Sequence, residues 1–79
     1  MNVKMKIGHR VKELRLVAKM SQKDAAYAAD LDRSYFANIE KGGRNISIIN
    51  IEKITIALNI TLQEFFNNDD FNKHARGGK

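Results

Sequence analysis

Two short runs near the middle of the chain hold most of its hydrogen-bonding reach. One is Arg33-Ser34-Tyr35, with Asn38 following Ser34 by four residues. The other is Arg44-Asn45-Ile46-Ser47, and Gln22 stands upstream of both. A guanidinium is a planar fork of donors, and an amide both donates and accepts. Such groups read flat polar edges. Short hydroxyls and amides beside a helix start, where backbone N–H groups lack partners, hold anions. Edge reading and anion holding side by side are what a surface that meets nucleic acid needs.

The elements that would position these side chains are helical. Apolar residues recur at helical rather than strand spacing, and the chain has no proline. The first helix is expected from Val3 or Lys4 to Ala18, with Ile7, Val11, Leu14 and Ala18 as one buried stripe. Ser21 is an N-cap with Asp24 three residues on, close to a capping box, and opens a helix from Gln22 to Ala29. Asp30-Leu31-Asp32 breaks the pattern: Asp30 can take a left-handed conformation, Leu31 can plug the core, and Asp32 can cap a helix from Arg33 to Glu40. Phe36 and Ile39 form the inner face of that helix, which leaves Arg33, Ser34, Tyr35, Ala37 and Asn38 outside. Two helices joined by a turn this short are a helix-turn-helix, spanning about residues 21–40. Gly42 stops the second of them, Ser47 caps a fourth helix from Ile48 to Leu58, and Thr61 caps a fifth from Leu62 to Phe66. The polar tail from Asn67 is expected to fray beyond Asn72.

Composition narrows the function. The 79 residues are expected to form a single domain, with no separate ligand-sensing unit. There is no cysteine, and His9 and His74 lack metal-ligand spacing, so no metal site and no cofactor are expected. No apolar run approaches the roughly 20 residues that span a bilayer, and no secretory signal is visible, so no membrane partner is expected. The net charge is +5, and residues 1–23 hold seven Lys/Arg against one acid. A basic segment suits a phosphate backbone, although it also suits a plain solvated face. No paired carboxylates, nucleophile–base constellation or phosphate-cradling glycine motif points to an enzyme.

Arg33 at the start of the third helix can donate two bonds to guanine O6 and N7. Ser34 can bond a base or a phosphate, Tyr35 can reach a phosphate or a thymine methyl, and Asn38 can reach a base edge further along the groove. Gln22 can hold a phosphate with the start of the second helix. Arg44, Asn45 and Ser47 form another such site, where Arg44 can also reach a base edge. Each has a plainer alternative: Arg33 a surface cation, Asn38 a solvated amide, Tyr35 a ring packed on a neighbouring loop. Arg15 and Glu40 read as an internal ion pair that links the first helix to the end of the third.

The stretch from Ile7 to Phe66 resembles the Cro/CI-type (XRE-like) helix-turn-helix repressors. The likeness is carried by Ile7-Gly8, Leu14-Arg15, Met20-Ser21-Gln22, Ala26, Ser34-Tyr35-Phe36, Ile39-Glu40, Gly42, Ser47, Ile51, Ile54, Ala57-Leu58 and Phe65-Phe66 in that order. A narrower resemblance, to the controller proteins of restriction–modification systems, lies in Leu31-Asp32-Arg33-Ser34-Tyr35 and Arg44-Asn45-Ile46-Ser47. It implies an all-α, compact five-helix bundle of the lambda-repressor-like type. It also implies a cytoplasmic homodimer that binds a palindromic operator of double-stranded DNA near its own and the endonuclease genes, with RNA polymerase as a further partner. By that resemblance Arg33, Ser34, Tyr35 and Arg44 carry readout, while Gln22, Asn45 and Ser47 hold phosphates. The sequence departs from the wider pattern at Ala25, where leucine is common, and at Asp30, where glycine is usual. It departs again at Ile46, where proline is frequent, and at Asp32 and Arg33.

The fourth helix is more apolar than one buried face requires. Ile51, Ile54 and Leu58 share one side, and Ile49 and Ile56 fall nearly opposite. A two-fold dimer is expected through Ile49, Ile56, Ile60, Leu62, Phe65 and Phe66, with Phe71 near its edge. The alternative is that the fifth helix and the tail fold back over Ile49 and Ile56. Two other functions remain open from sequence: a phage or plasmid repressor, and an antitoxin-type module whose apolar end binds a protein.

Overall fold

A computed structural model describes residues 1–72. Six helices follow in order: α1 Val3–Val17, α2 Gln22–Ala28, α3 Arg33–Glu40, α4 Ile48–Ala57, α5 Leu62–Phe66 and α6 Asp69–Asn72, with no strand among the described residues. The expected α3 and α5 coincide with these bounds. Expected α1, α2 and α4 each ran one residue further, onto the capping residues Ala18, Ala29 and Leu58. The five-helix expectation missed α6, a single turn in what reads as polar tail. It forms because Phe71 brings an aromatic ring against Phe65 and Phe66, with centroids 6.2 and 5.1 Å away. The expected fraying beyond Asn72 concerns residues outside those described.

Each helix start has a local cause. Asn2, Ser21, Asp32, Ser47 and Thr61 each accept, through a side-chain oxygen, the backbone N–H three residues on, at 3.0 to 3.1 Å. At α5 Glu64 returns a bond to the Thr61 N–H at 2.8 Å, which completes a capping box that α2 lacks. Such a cap stabilises a helix by about 1 kcal/mol.

The helix ends share one device. Lys19, Asp30, Gly42 and Asn59 have φ of 60°, 57°, 77° and 60° and follow the caps of α1 to α4. The next residue then donates back across the turn: Met20 to Arg15 O, Leu31 to Ala26 O, Gly43 to Asn38 O and Ile60 to Thr55 O. This left-handed stop satisfies carbonyls that the helix leaves unpaired. It also turns the apolar Met20, Leu31 and Ile60 back onto the core.

The core is Ile7, Val11, Ala25, Ala26, Ala29, Phe36, Ile39, Ile51, Ile54, Leu58 and Phe65. The alanines of α2 let it lie close to α3 and α4, and α1 crosses the back of α3. The expected stripe on α1 needs correction. Leu14 is half-buried and Ala18 is exposed at the cap, while Arg15 is buried. The helix stops before Ala18 can turn inward, and Arg15 tolerates burial because it meets Glu40. Gly8 is fixed by the same crossing: a Cβ there would lie 2.3 Å from Ile39 O and 2.8 Å from Glu40 O.

Candidate nucleic-acid interface

The outward face of α3 is defined by what its inward face buries. Phe36, Ile39 and Glu40 are buried, whereas Arg33, Ser34 and Asn38 are exposed. The Asp32 carboxylate accepts the Tyr35 N–H at 3.1 Å and starts the helix, so Arg33 and Ser34 occupy its first turn. Side chains in that turn are the ones a helix in the major groove offers to base edges.

The far end of α3 is held from within. Arg15 donates from Nε to Glu40 Oε2 at 2.7 Å and from Nη2 to Oε1 at 3.1 Å. Its Nη1 donates to Met20 O at 2.9 Å, across the end of α1. The hydrogen bond to Glu40 pushes the Arg15 guanidinium above its ordinary pKa, partly offset by burial, and the nearby charge adds to the rise. A planar fork on a carboxylate fixes direction as well as distance. The pair therefore sets where α3 sits relative to α1.

Gln22 joins this network. Its Nε2 donates to Glu40 Oε1 at 2.9 Å. One amide hydrogen of Gln22 is thus engaged inside the protein.

Ser47 caps α4 by accepting the Asn50 N–H at 3.1 Å, and its hydroxyl hydrogen can still be donated. Arg44, Asn45 and Ser47 are all exposed. Tyr35 differs from the outward placement expected for it. It is half-buried against the core, its Oη accepts a hydrogen bond from Asn50 Nδ2 at 3.0 Å, and the Arg44 guanidinium lies 4.8 Å from its ring centroid. The ring packs on the neighbouring loop because α4 starts directly beside it. Nothing in the sequence marks Asn50 for this contact beyond its position in the first turn of α4.

The basic N-terminal segment contributes less free charge than its composition implies. Arg15 is committed to Glu40. Arg10 donates to Phe65 O at 2.7 Å and Glu64 O at 2.7 Å, caps the end of α5, and pairs with Glu13 at 2.9 Å. Nothing in the sequence marks Arg10 for this, since its acceptors are backbone carbonyls more than 50 residues away. Lys12, Lys19 and Lys23 stay exposed. His9 is exposed, and His74 lies outside the described residues.

The residues expected at a dimer contact divide. Ile49 and Ile56 are 65% and 69% exposed, and no described segment folds back over them. Ile60, Leu62, Phe66 and Phe71 are half-buried at the edge of the core. Phe65 is 0% exposed and must be withdrawn from the contact. It points inward because the capping box of α5 turns it under Phe66, whose ring meets it edge-on at 4.9 Å.

An α-helical domain with a capped, outward-facing α3 behind a short turn is a helix-turn-helix DNA-binding unit. The helix-turn-helix family model matches residues 11–65. The control protein C.MunI of Mycoplasma sp is 44% identical over 66 residues, which cover 82% of this chain and 89% of that protein. The restriction–modification controller C.AhdI of Aeromonas hydrophila superposes with a TM-score of 0.77 at 43% identity, covering 80% of this chain and 96% of that one. The controller C.Esp1396I, solved as a tetramer with its natural 35-base-pair operator, gives 0.81 at 33% identity and covers 92% and 93%. The chain belongs to the helix-turn-helix family, in its group of restriction–modification controller proteins.

Proposed function

We infer that this chain is a sequence-specific DNA-binding regulator, the controller of a restriction–modification system, acting as a homodimer on a roughly palindromic operator. The observation that carries this is the exposed polar face of α3, Arg33, Ser34 and Asn38, set beside Arg44, Asn45 and Ser47 and locked from behind by Arg15 and Glu40. Arg33 and Asn38 read base edges, with Ser34 on a base or phosphate. Asn45, Ser47 and the remaining hydrogen of Gln22 hold the backbone. Arg44 reaches an edge or a phosphate. Two copies joined through Ile49 and Ile56 would set the two α3 helices about 34 Å apart, one turn of duplex. The operator lies near its own gene and that of the endonuclease, where bound dimers meet RNA polymerase in the cytoplasm. The operator complex of the C.Esp1396I controller supports this reading. A footprint on the DNA upstream of this chain's gene tests it: protection of two related half-sites is expected, and uniform weak protection would count against it.

A further inference from the structure

The segment from Lys41 to Ile46 joins α3 to α4 and carries Arg44. Its backbone is tied at its start, where the N–H groups of Gly42 and Gly43 donate to Ile39 O and Asn38 O. No backbone hydrogen bond from the N–H of Arg44, Asn45 or Ile46 is formed among the described residues. An arginine on such a segment has many rotamers open to it, and ordering it opposes binding. Here the guanidinium instead rests over the Tyr35 ring. That ring is held on two sides, by the core beneath it and by the Asn50 amide at its hydroxyl. Asn50 is in turn fixed by the Ser47 cap at the start of α4. One helix supplies the ring, the next supplies its anchor, and the loop between them supplies the cation.

We propose that Tyr35 is a positioning residue for Arg44. The ring, anchored by Asn50, sets the place from which Arg44 reaches DNA, and Tyr35 contributes to sequence preference without contacting a base itself. This rests on the DNA-binding reading above. A tyrosine that read bases directly would present its ring and hydroxyl to the groove, whereas this ring is covered by Arg44 and its hydroxyl accepts from α4, which leaves only the hydroxyl hydrogen to donate. The guanidinium can keep this face-on contact while its edge donates to DNA, and an exposed cation–ring interaction changes an equilibrium only about two- to fivefold. It therefore orders the side chain in the free protein and in the complex alike.

The test is a double-mutant cycle read on two probes: the duplex immediately upstream of this chain's gene and a random-sequence duplex of equal length. Tyr35→Ala should weaken binding to the upstream duplex about two- to fivefold more than binding to the random one. In an Arg44→Ala background the same change should add nothing further. Tyr35→Phe and Asn50→Ala should each give a smaller loss, and combining them should give no more than either alone, since both remove one hydrogen bond. Should Tyr35→Ala fail to fold, Tyr35→Phe and Asn50→Ala against Arg44→Ala carry the same comparison. Losses that simply add to that of Arg44→Ala would place Tyr35 on the DNA and overturn the proposal. Equal losses on both duplexes would also overturn it. A wild-type chain with no preference for the upstream duplex would overturn the DNA-reading assignment itself.

Discussion

Arg15 and Glu40 lie 25 residues apart and meet in a two-pronged buried ion pair, with Gln22 donating to the same carboxylate. The Arg15 and Glu40 side chains are 10% and 3% exposed. Glu40→Ala would leave a buried guanidinium unpaired and should cost about 3–5 kcal/mol. Replacing both residues with apolar ones, Arg15→Met with Glu40→Leu, should cost much less, because no charge is stranded. Urea unfolding of the three proteins checks this, and a double variant no better than Glu40→Ala would contradict it. The raised Arg15 pKa gives stability that is lost only as pH climbs through that raised value. Arg15 itself should therefore add no pH dependence between acid and mildly alkaline solution.

Gly8 should be nearly irreplaceable. Its missing Cβ is where the final carbonyls of α3 lie, 2.3 Å from Ile39 O. Gly8→Ala gains helix propensity of roughly 1 kcal/mol. It must nevertheless separate α1 from α3, and overpacking of this kind costs about 1–3 kcal/mol or more. A net fall in melting temperature is expected; a rise would show that α1 can shift freely.

Arg33→Ala should leave the fold intact, since the side chain is exposed. Binding to the upstream duplex should weaken by about 1–3 kcal/mol with relaxed preference at one base position. Fluorescence anisotropy against operator and random duplexes separates this from a phosphate role, which would weaken both alike. For the wild-type protein, log affinity should fall with log salt by about 0.9 for each phosphate neutralised.

Ile56→Asp places a charge on a site that is already 69% exposed in the single chain. The protomer should keep its helical content, while sedimentation should shift from dimer to monomer. Operator affinity should then fall steeply, because each copy binds one half-site. An unchanged dimer would move the contact elsewhere on the surface.

Arg10→Ala removes the donor that closes α5 onto α1, from Nε at 2.7 Å and Nη2 at 2.7 Å. Hydrogen exchange should show earlier opening of α5 and α6 than of α3. Equal protection throughout would mean that Phe65 alone holds that end in place.

The sequence by itself determined where α2 to α5 begin and, to within one residue, where they end. Caps at Ser21, Asp32, Ser47 and Thr61 act within three residues, and the left-handed stop at Asp30 acts within one turn, so their signals are written locally. It also determined that α3 is amphipathic, because period and burial agree at Phe36 and Ile39. Tertiary structure decided whatever depended on which remote group arrives. It turned Arg10 from apparent phosphate charge into an internal tie, and it closed the Arg15–Glu40 pair that the sequence already suggested. It drew the Tyr35 hydroxyl to Asn50 and made a turn of helix at Phe71. It also buried Phe65 while leaving Ile49 and Ile56 outside. A carbonyl 55 residues away, or a ring from the next helix, leaves no trace in local spacing. Those assignments needed the packed chain.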